Sequence, residues 1–316
     1  MLWKLVAQRL ALGLVLLLAI SAIIFAGTQI LPGDVAQTIL GQSATPEAVA
    51  NLRHDLGLDQ PAIYRYLQWL GGILHGDLGR SLANRQDIAQ LVGGRLANTL
   101  FLAAVAAVIA VPLSVFLGLI AARHPNGLVD RVISILSLGA ISLPEFFVGY
   151  LLMMAFAVKL DWFSSISNVH AGMSLGQRLS AVVLPCATLI LAVLAHMMRM
   201  TRAAILNVLS SSYVETAELK GLAPFEIIVR HALPNAIAPI VNVVMLNLAY
   251  LVVGVVVVEV IFVYPGLGQL MVDHVAKRDV PVVQICGLIF AATYIGLNTF
   301  ADIVSIVANP RLRHPK

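Results

Sequence analysis

The chain has 316 residues, 59% of them hydrophobic and 11% charged, with a mean hydropathy of +0.91. Soluble domains carry about 25% charge, so this composition excludes an ordinary soluble protein and requires a surface that faces lipid. The net charge of +4 is too small to signal nucleic acid in so apolar a chain, and its basic residues instead report orientation across a bilayer.

Crossing a bilayer takes about 20 apolar residues per helix. Charge-free windows of that kind cover residues 10–33, 96–122, 179–198, 232–258 and 280–301. A sixth window, 132–158, is interrupted only by Glu145. None shows the alternation of a barrel strand, and a backbone in lipid must satisfy its own hydrogen bonds. The prediction is an all-α integral membrane protein with six transmembrane helices. Lys4 and Arg9 precede the first window as in a signal peptide, but the window is long and no A-x-A site closes it. It reads as an uncleaved first span.

An even number of spans places both termini on one side. That side collects eleven basic residues: Lys4, Arg9, Arg123, Arg131, Arg199, Arg202, Lys220, Arg230, Arg311, Arg313 and Lys316. The two short opposite loops hold four, Lys159, Arg178, Lys277 and Arg278. The long opposite loop, 34–95, adds five but weighs little at that length. Both termini are therefore expected in the cytoplasm.

The long loop has structure of its own. Thr45-Pro46-Glu47 reads as cap, first-turn proline and early acid. Ala48, Val49, Leu52 and Leu56 follow at helical spacing, and Gly57 can end the helix. Asp59-Gln60-Pro61 starts a second helix with Ile63, Tyr66, Leu67, Leu70 and Leu74 on one side, and Gly76-Asp77-Leu78-Gly79 is a turn. The expected units are residues 1–33 (tail and first span), 34–95 (extracytoplasmic helical loop), 96–309 (five-span core) and 310–316 (cytoplasmic tail).

Within that core, residues 210–235 form a polar loop between two apolar windows. A helix is expected from Val214 to Lys220, stopped by Gly221 in a left-handed turn. Pro224 starts a second helix, with Glu226 in its first turn and Arg230 one turn on. Leu233-Pro234 is expected to end it. Two short angled helices held between spans make a projecting knob.

Ionisable groups at membrane depth are costly and face an interior. Glu145 follows Pro144, a candidate kink, and Glu259 lies near the outer end of the fifth span. Asn298 and Asp302 share a face of the sixth. Glu145, Glu259 and Asn298 are candidates for a path or gate, and helix–helix pairing is the structural alternative. Asp302, near the cytoplasmic end and close in sequence to Arg311, is assigned to structure. Cys186 and Cys286 sit in apolar runs and read as small core residues. No H-E-x-x-H or C-x-x-C appears, so no metal site is expected, and Gly79-Arg80-Ser81 contains G-x-S without a base nearby in sequence.

Glu215, Ala217, Gly221, Leu233 and Pro234 form the pattern E-x-A-x-x-x-G, nine residues, x-x-L-P. This resembles the cytoplasmic loop of ABC importer permeases, with Thr216 and His231 standing where alanine and isoleucine are usual. Further pieces are similar to the dipeptide/oligopeptide branch of that family. They are Leu31-Pro32-Gly33-Asp34, Leu56 to Pro61, Gly76 to Gly79, Asn98-Thr99-Leu100, Arg199 to Arg202, Arg230 to Ala236, Glu259 to Gly268 and Arg278 to Pro281. Asn309 departs from a common aspartate. The resemblance covers nearly the whole chain in order.

The resemblance implies a permease subunit in a bacterial inner membrane, importing peptides or similar small solutes. It implies a second similar permease, two ATP-binding subunits and an extracytoplasmic solute-binding protein as partners, with ATP–Mg held by the partners and no cofactor on this chain. The chain has no G-x-x-x-x-G-K-[ST] loop of its own. Glu215, Ala217, Glu218, Lys220, Gly221 and Leu222 are the residues implied to dock on an ATPase. The alternative is an ion-coupled secondary transporter, which would need a richer set of membrane acids and often an internal repeat; neither is visible.

Overall fold

The computed structural model describes residues 2–30, 34–55, 57–170 and 172–308. Leu31-Pro32-Gly33, Leu56, Asn309 and the tail cations Arg311, Arg313 and Lys316 lie outside the described residues, as does the side chain of Glu218. Among the described residues every element is helical apart from one isolated bridge between Arg80 and Asp87.

The first span is α1 (Leu2–Ile30). Beyond it come α2 (Val35–Leu40), α3 (Pro46–Asp55) and α4 (Ala62–Leu74). The caps expected for this loop are present. Thr45 Oγ1 accepts from Ala48 N at 3.2 Å, and Gly57 turns left-handed at φ +64°. α2 was not anticipated; Asp34 caps it, its Oδ1 accepting from Ala36 N at 2.8 Å.

α5 (Ile88–Arg123) begins before its apolar window because Asp87 caps it through Ala89 N at 2.8 Å. The last turns of the long loop, 88–95, thus belong to this helix.

The third window is not one straight helix. α6 (Leu128–Ser142) and α7 (Glu145–Leu152), the latter extended by a π-helical stretch over Met153–Lys159, meet at 101°. The break lies at Leu143-Pro144. Proline bars its predecessor from helical geometry, and Leu143 is extended at φ −93°, ψ 130°. The expected kink is a full break, and Glu145 opens the next helix.

α8 (Leu175–Ala181) leads into α9 (Val183–Leu209), the knob helices α10 (Ser212–Leu219) and α11 (Pro224–Ile227), then α12 (Leu233–Ile261), α13 (Leu267–Ala276) and α14 (Val280–Ala308). Among the described residues five helices are long and apolar enough to span, and the bent pair makes up to six.

α5 packs along α9, α12 lies between α9 and α14, and α1 rests on α14. The main core joins α5, α9, α12, α13 and α14 around Leu102, Leu189, Leu251, Phe262 and Ile285. A smaller core, Ala122, Ile205, Ala232, Ala236 and Ile240, gathers the helix ends beside the knob. Cys186 and Cys286 are both buried, as expected. Asp302 pairs with Arg9 of α1 at 2.9 Å, joining the first and last helices at the knob end.

Candidate functional site

The knob is built by local rules. α10 ends in a Schellman turn: Leu222 N donates to Ala217 O at 3.3 Å and Gly221 sits at φ +79°, the conformation that glycine adopts without penalty. Val214, Ala217 and Ile227 form a core private to the knob, with Leu209 and Leu222 against it. Tyr213 Oη donates to His231 O at 3.3 Å, and Arg230 pairs with Glu226 at 2.6 Å.

Leu233-Pro234 does not end the second helix. The chain stays helical from Pro224 to Ile261, with a π-helical turn over Ile228–Ala232. Pro234 lacks the N–H that an α-helix would aim at residue 230, and the wider turn just before it absorbs the mismatch.

The docking candidates divide by exposure. Glu215 and Lys220 are exposed, Gly221 shapes the turn, Ala217 is buried inside the knob and Leu222 is half-buried beside it. Among the described residues of the knob the most exposed apolar side chain is Leu219, 84% exposed. Its neighbours at helical spacing gave no sign of this, because a lone leucine in a polar loop reads as ordinary.

The opposite end is a clasp. Glu259 is fully buried. Its Oε1 accepts from Thr99 Oγ1 at 2.6 Å, and its Oε2 accepts from Gly268 N at 2.7 Å and Gln269 N at 3.0 Å. It caps the first turn of α13. Thr99 Oγ1 in turn accepts from Leu267 N at 2.8 Å. Tyr264 Oη donates to Asn98 O at 2.8 Å, and Asn98 Nδ2 donates to Pro265 O at 3.0 Å. Burial pushes the Tyr264 phenol above its ordinary pKa, which keeps the donor proton in place. The stretch from Glu259 to Gly268 and the Asn98-Thr99 pair therefore form one interlocked joint.

A second joint holds the long loop down. Buried Ser81 donates its hydroxyl to Asp279 Oδ2, Leu82 N donates to Oδ1 at 3.0 Å and Ala83 N to Oδ2 at 3.2 Å. The Ser81 hydroxyl thus serves as a donor that holds the Asp279 carboxylate, a partner remote in sequence. His274 Nε2 lies 3.9 Å from Asp279 Oδ2. Thr99 and Ser81 were not assigned these roles from the sequence, since their partners lie 160 and 198 residues away.

The other gate candidates have different surroundings. Glu145 opens α7 with Oε1 buried and unpartnered among the described residues. Its Oε2 lies 3.6 Å from where a Cβ on Gly254 of α12 would sit. Asn298 folds onto its own helix, Nδ2 donating to Tyr294 O at 2.9 Å. At the knob end Asp130 of α6 takes Arg202 of α9 in a bidentate pair, at 2.7 Å and 2.6 Å, and also accepts from Asn126 N at 2.8 Å.

Comparison with known proteins extends over the same elements. Residues 114–314 match the family described as binding-protein-dependent transport system inner membrane component, and residues 1–103 match its N-terminal region. A probable peptide ABC transporter permease of Sinorhizobium fredii is 32% identical, covering 98% of this chain and 99% of its own. A putative peptide transport system permease of Brucella melitensis is 35% identical over 99% and 100%. A glutathione transport system permease of Escherichia coli is 36% identical over 98% of each chain. This favours an ABC importer component over an ion-coupled secondary carrier. The chain belongs to the binding-protein-dependent transport system inner membrane components, the permease subunits of ABC transporters.

Proposed function

We propose that this chain is one of two membrane subunits of an ATP-driven importer for peptides or similar small solutes, with both termini cytoplasmic and six spans. The relatives named for peptides and glutathione support that solute class. An extracytoplasmic binding protein delivers the solute to the clasp end. Two ATP-binding subunits hold ATP–Mg at the knob end, and this chain carries no cofactor. The unit boundaries at 33 and 309 follow the same scheme, and the one at 95 moves to 87, where Asp87 caps α5.

The observation that carries the reading is the knob: a prefolded pair of short helices, packed by its own core against Leu209 of α9 and helically continuous with α12, with Leu219 turned outward. Glu215 and Lys220 flank that leucine with charge, and Glu218 belongs to the same helix. Ala217, Gly221 and Leu222 set the shape. An apolar anchor ringed by charge suits a groove on a partner. ATPase closure then rocks the attached spans as rigid bodies. Of the gate candidates, Glu145 remains a path residue in this scheme. Glu259 and Asn298 serve structure.

The test is Leu219→Asp in the co-expressed complex. The exposed site tolerates the change, so the permease should fold normally while the ATPases no longer co-purify. Undiminished co-purification would sink the docking claim.

A further inference from the structure

The break between α6 and α7 lies at membrane depth. Ser137 of α6 is level with Met198 of α9, its Oγ 3.9 Å from the sulfur. Gly149 of α7 is level with Thr188, whose Cγ2 lies 3.4 Å from where a Cβ on that glycine would sit. Residues 141–145 fall between those two levels, away from both ends of α9. Backbone at such depth goes unpaired only where it is buried in protein or lines a water-filled cavity. Here the carbonyls of Ile141, Ser142 and Leu143 accept no hydrogen bond among the described residues, and all three residues are exposed.

Glu145 opens α7 next to these carbonyls, and neither of its oxygens has a hydrogen bond or ion pair among the described residues. Oε1 is shut from solvent, whereas Oε2 keeps access to open space. The open oxygen borders Gly254 of α12. It lies 3.6 Å from where a Cβ on that glycine would sit, and the Tyr250 ring lies 3.3 Å from the same point. Tyr250 is exposed, as are Leu246, Val253 and Val257 at helical spacing along α12. Oε2 therefore opens beside an uncovered face of α12, not into the core. The unspent capacity over residues 141–145 is all acceptor, one carboxyl group and three carbonyls. That set suits a positively charged group with several N–H donors.

We propose that Glu145 is a specificity-determining residue of the transport path that receives the α-ammonium group of the solute, with the carbonyls of residues 141–143 as further acceptors. The inference rests on the reading of this chain as an importer subunit for peptides or similar small solutes. Peptides and glutathione differ in most of their groups but share a free α-ammonium. A receptor for that group admits the whole class without choosing among side chains.

The test uses the complete importer in proteoliposomes, with its binding protein outside and ATP supplied to the ATPases. Uptake of labelled trialanine and glutathione is compared with uptake of their N-acetyl forms, which lack the ammonium charge. The binding protein contributes the same preference to every variant, so a change in the ratio of free to acetylated uptake reads Glu145. Glu145→Gln should lower that ratio about tenfold, the value of one charge-assisted hydrogen bond. Glu145→Asp, which keeps the charge on a shorter arm, should give an intermediate ratio. If Glu145→Gln fails to assemble, Glu145→Asp carries the comparison, and an unchanged ratio in it overturns the proposal. An equal loss for free and acetylated forms assigns Glu145 to structure or to a small cation, and also overturns it. ATP-dependent uptake with the wild-type ratio kept in Glu145→Gln sinks the Glu145 assignment alone. No ATP-dependent uptake of any probe by the wild type sinks the importer reading, and the proposal with it.

Discussion

A Cβ on Gly266 would collide with the carboxylate of Glu259. The side chain of one helix end thus occupies the space that a missing side chain leaves in the next. Gly268 is similarly confined, its would-be Cβ lying 2.7 Å from Val256 Cα. The Tyr-Pro-Gly-Leu-Gly run is a fitted socket for a buried carboxylate. Thr99→Val should strand Leu267 N and one Glu259 oxygen and lower stability by about 2 kcal/mol. Thr99→Ser should cost far less. Thermal unfolding in detergent reads the difference, and equal melting of the two variants would contradict the assignment.

The Asp130–Arg202 pair makes a second prediction. Asp130 is 4% exposed and the Arg202 side chain 25%. Asp130→Asn leaves a mostly covered guanidinium without its counter-charge and should cost about 2–3 kcal/mol. Adding Arg202→Gln should recover part of that loss. A double-mutant cycle on detergent unfolding checks the coupling, and strictly additive losses would rule it out.

Asp279 receives three donors from the turn at 81–83. Asp279→Ala should release that turn while the spans remain folded. Trypsin cleavage after Arg80 or Arg85 should then rise about tenfold, because local opening sets proteolysis. Unchanged cleavage would show that other contacts hold the loop.

Gly221→Ala tests the knob. Among the described residues no heavy atom beyond the chain neighbours lies within 4 Å of the added Cβ, so the backbone supplies the resistance, and a left-handed residue other than glycine costs about 1–2 kcal/mol. Hydrogen exchange over 212–227 should quicken, with the Glu259 joint unaffected. Uniform exchange across both ends would contradict a separately stabilised knob.

Much of this architecture is readable from residues alone, and the reason differs by element. The spans are legible because lipid permits few charges, and the caps at Thr45 and the turn at Gly221 because backbone geometry restricts who can stand there. Local chemistry also foretells an interruption at Pro144, yet not its 101° bend, which depends on how α6 and α7 pack against α9. Glu259 illustrates the limit. Its isolation in an apolar run is visible, but a gate and a structural cap look alike until Thr99 and two backbone N–H groups are seen around it. Leu219 shows the converse: a residue unremarkable by type becomes the outward point of the knob through the direction of its helix.

The unbroken helical path from Pro224 to Ile261 has a mechanical corollary. Those 38 residues form a rod about 55 Å long, with the knob at its foot and the Glu259 socket at its head. A tilt of about 10° at the foot would sweep the head through roughly 10 Å, given that length. Because Glu259 caps α13 directly, this sweep would carry α13 with it, so one protein segment links the knob to the clasp at the opposite end.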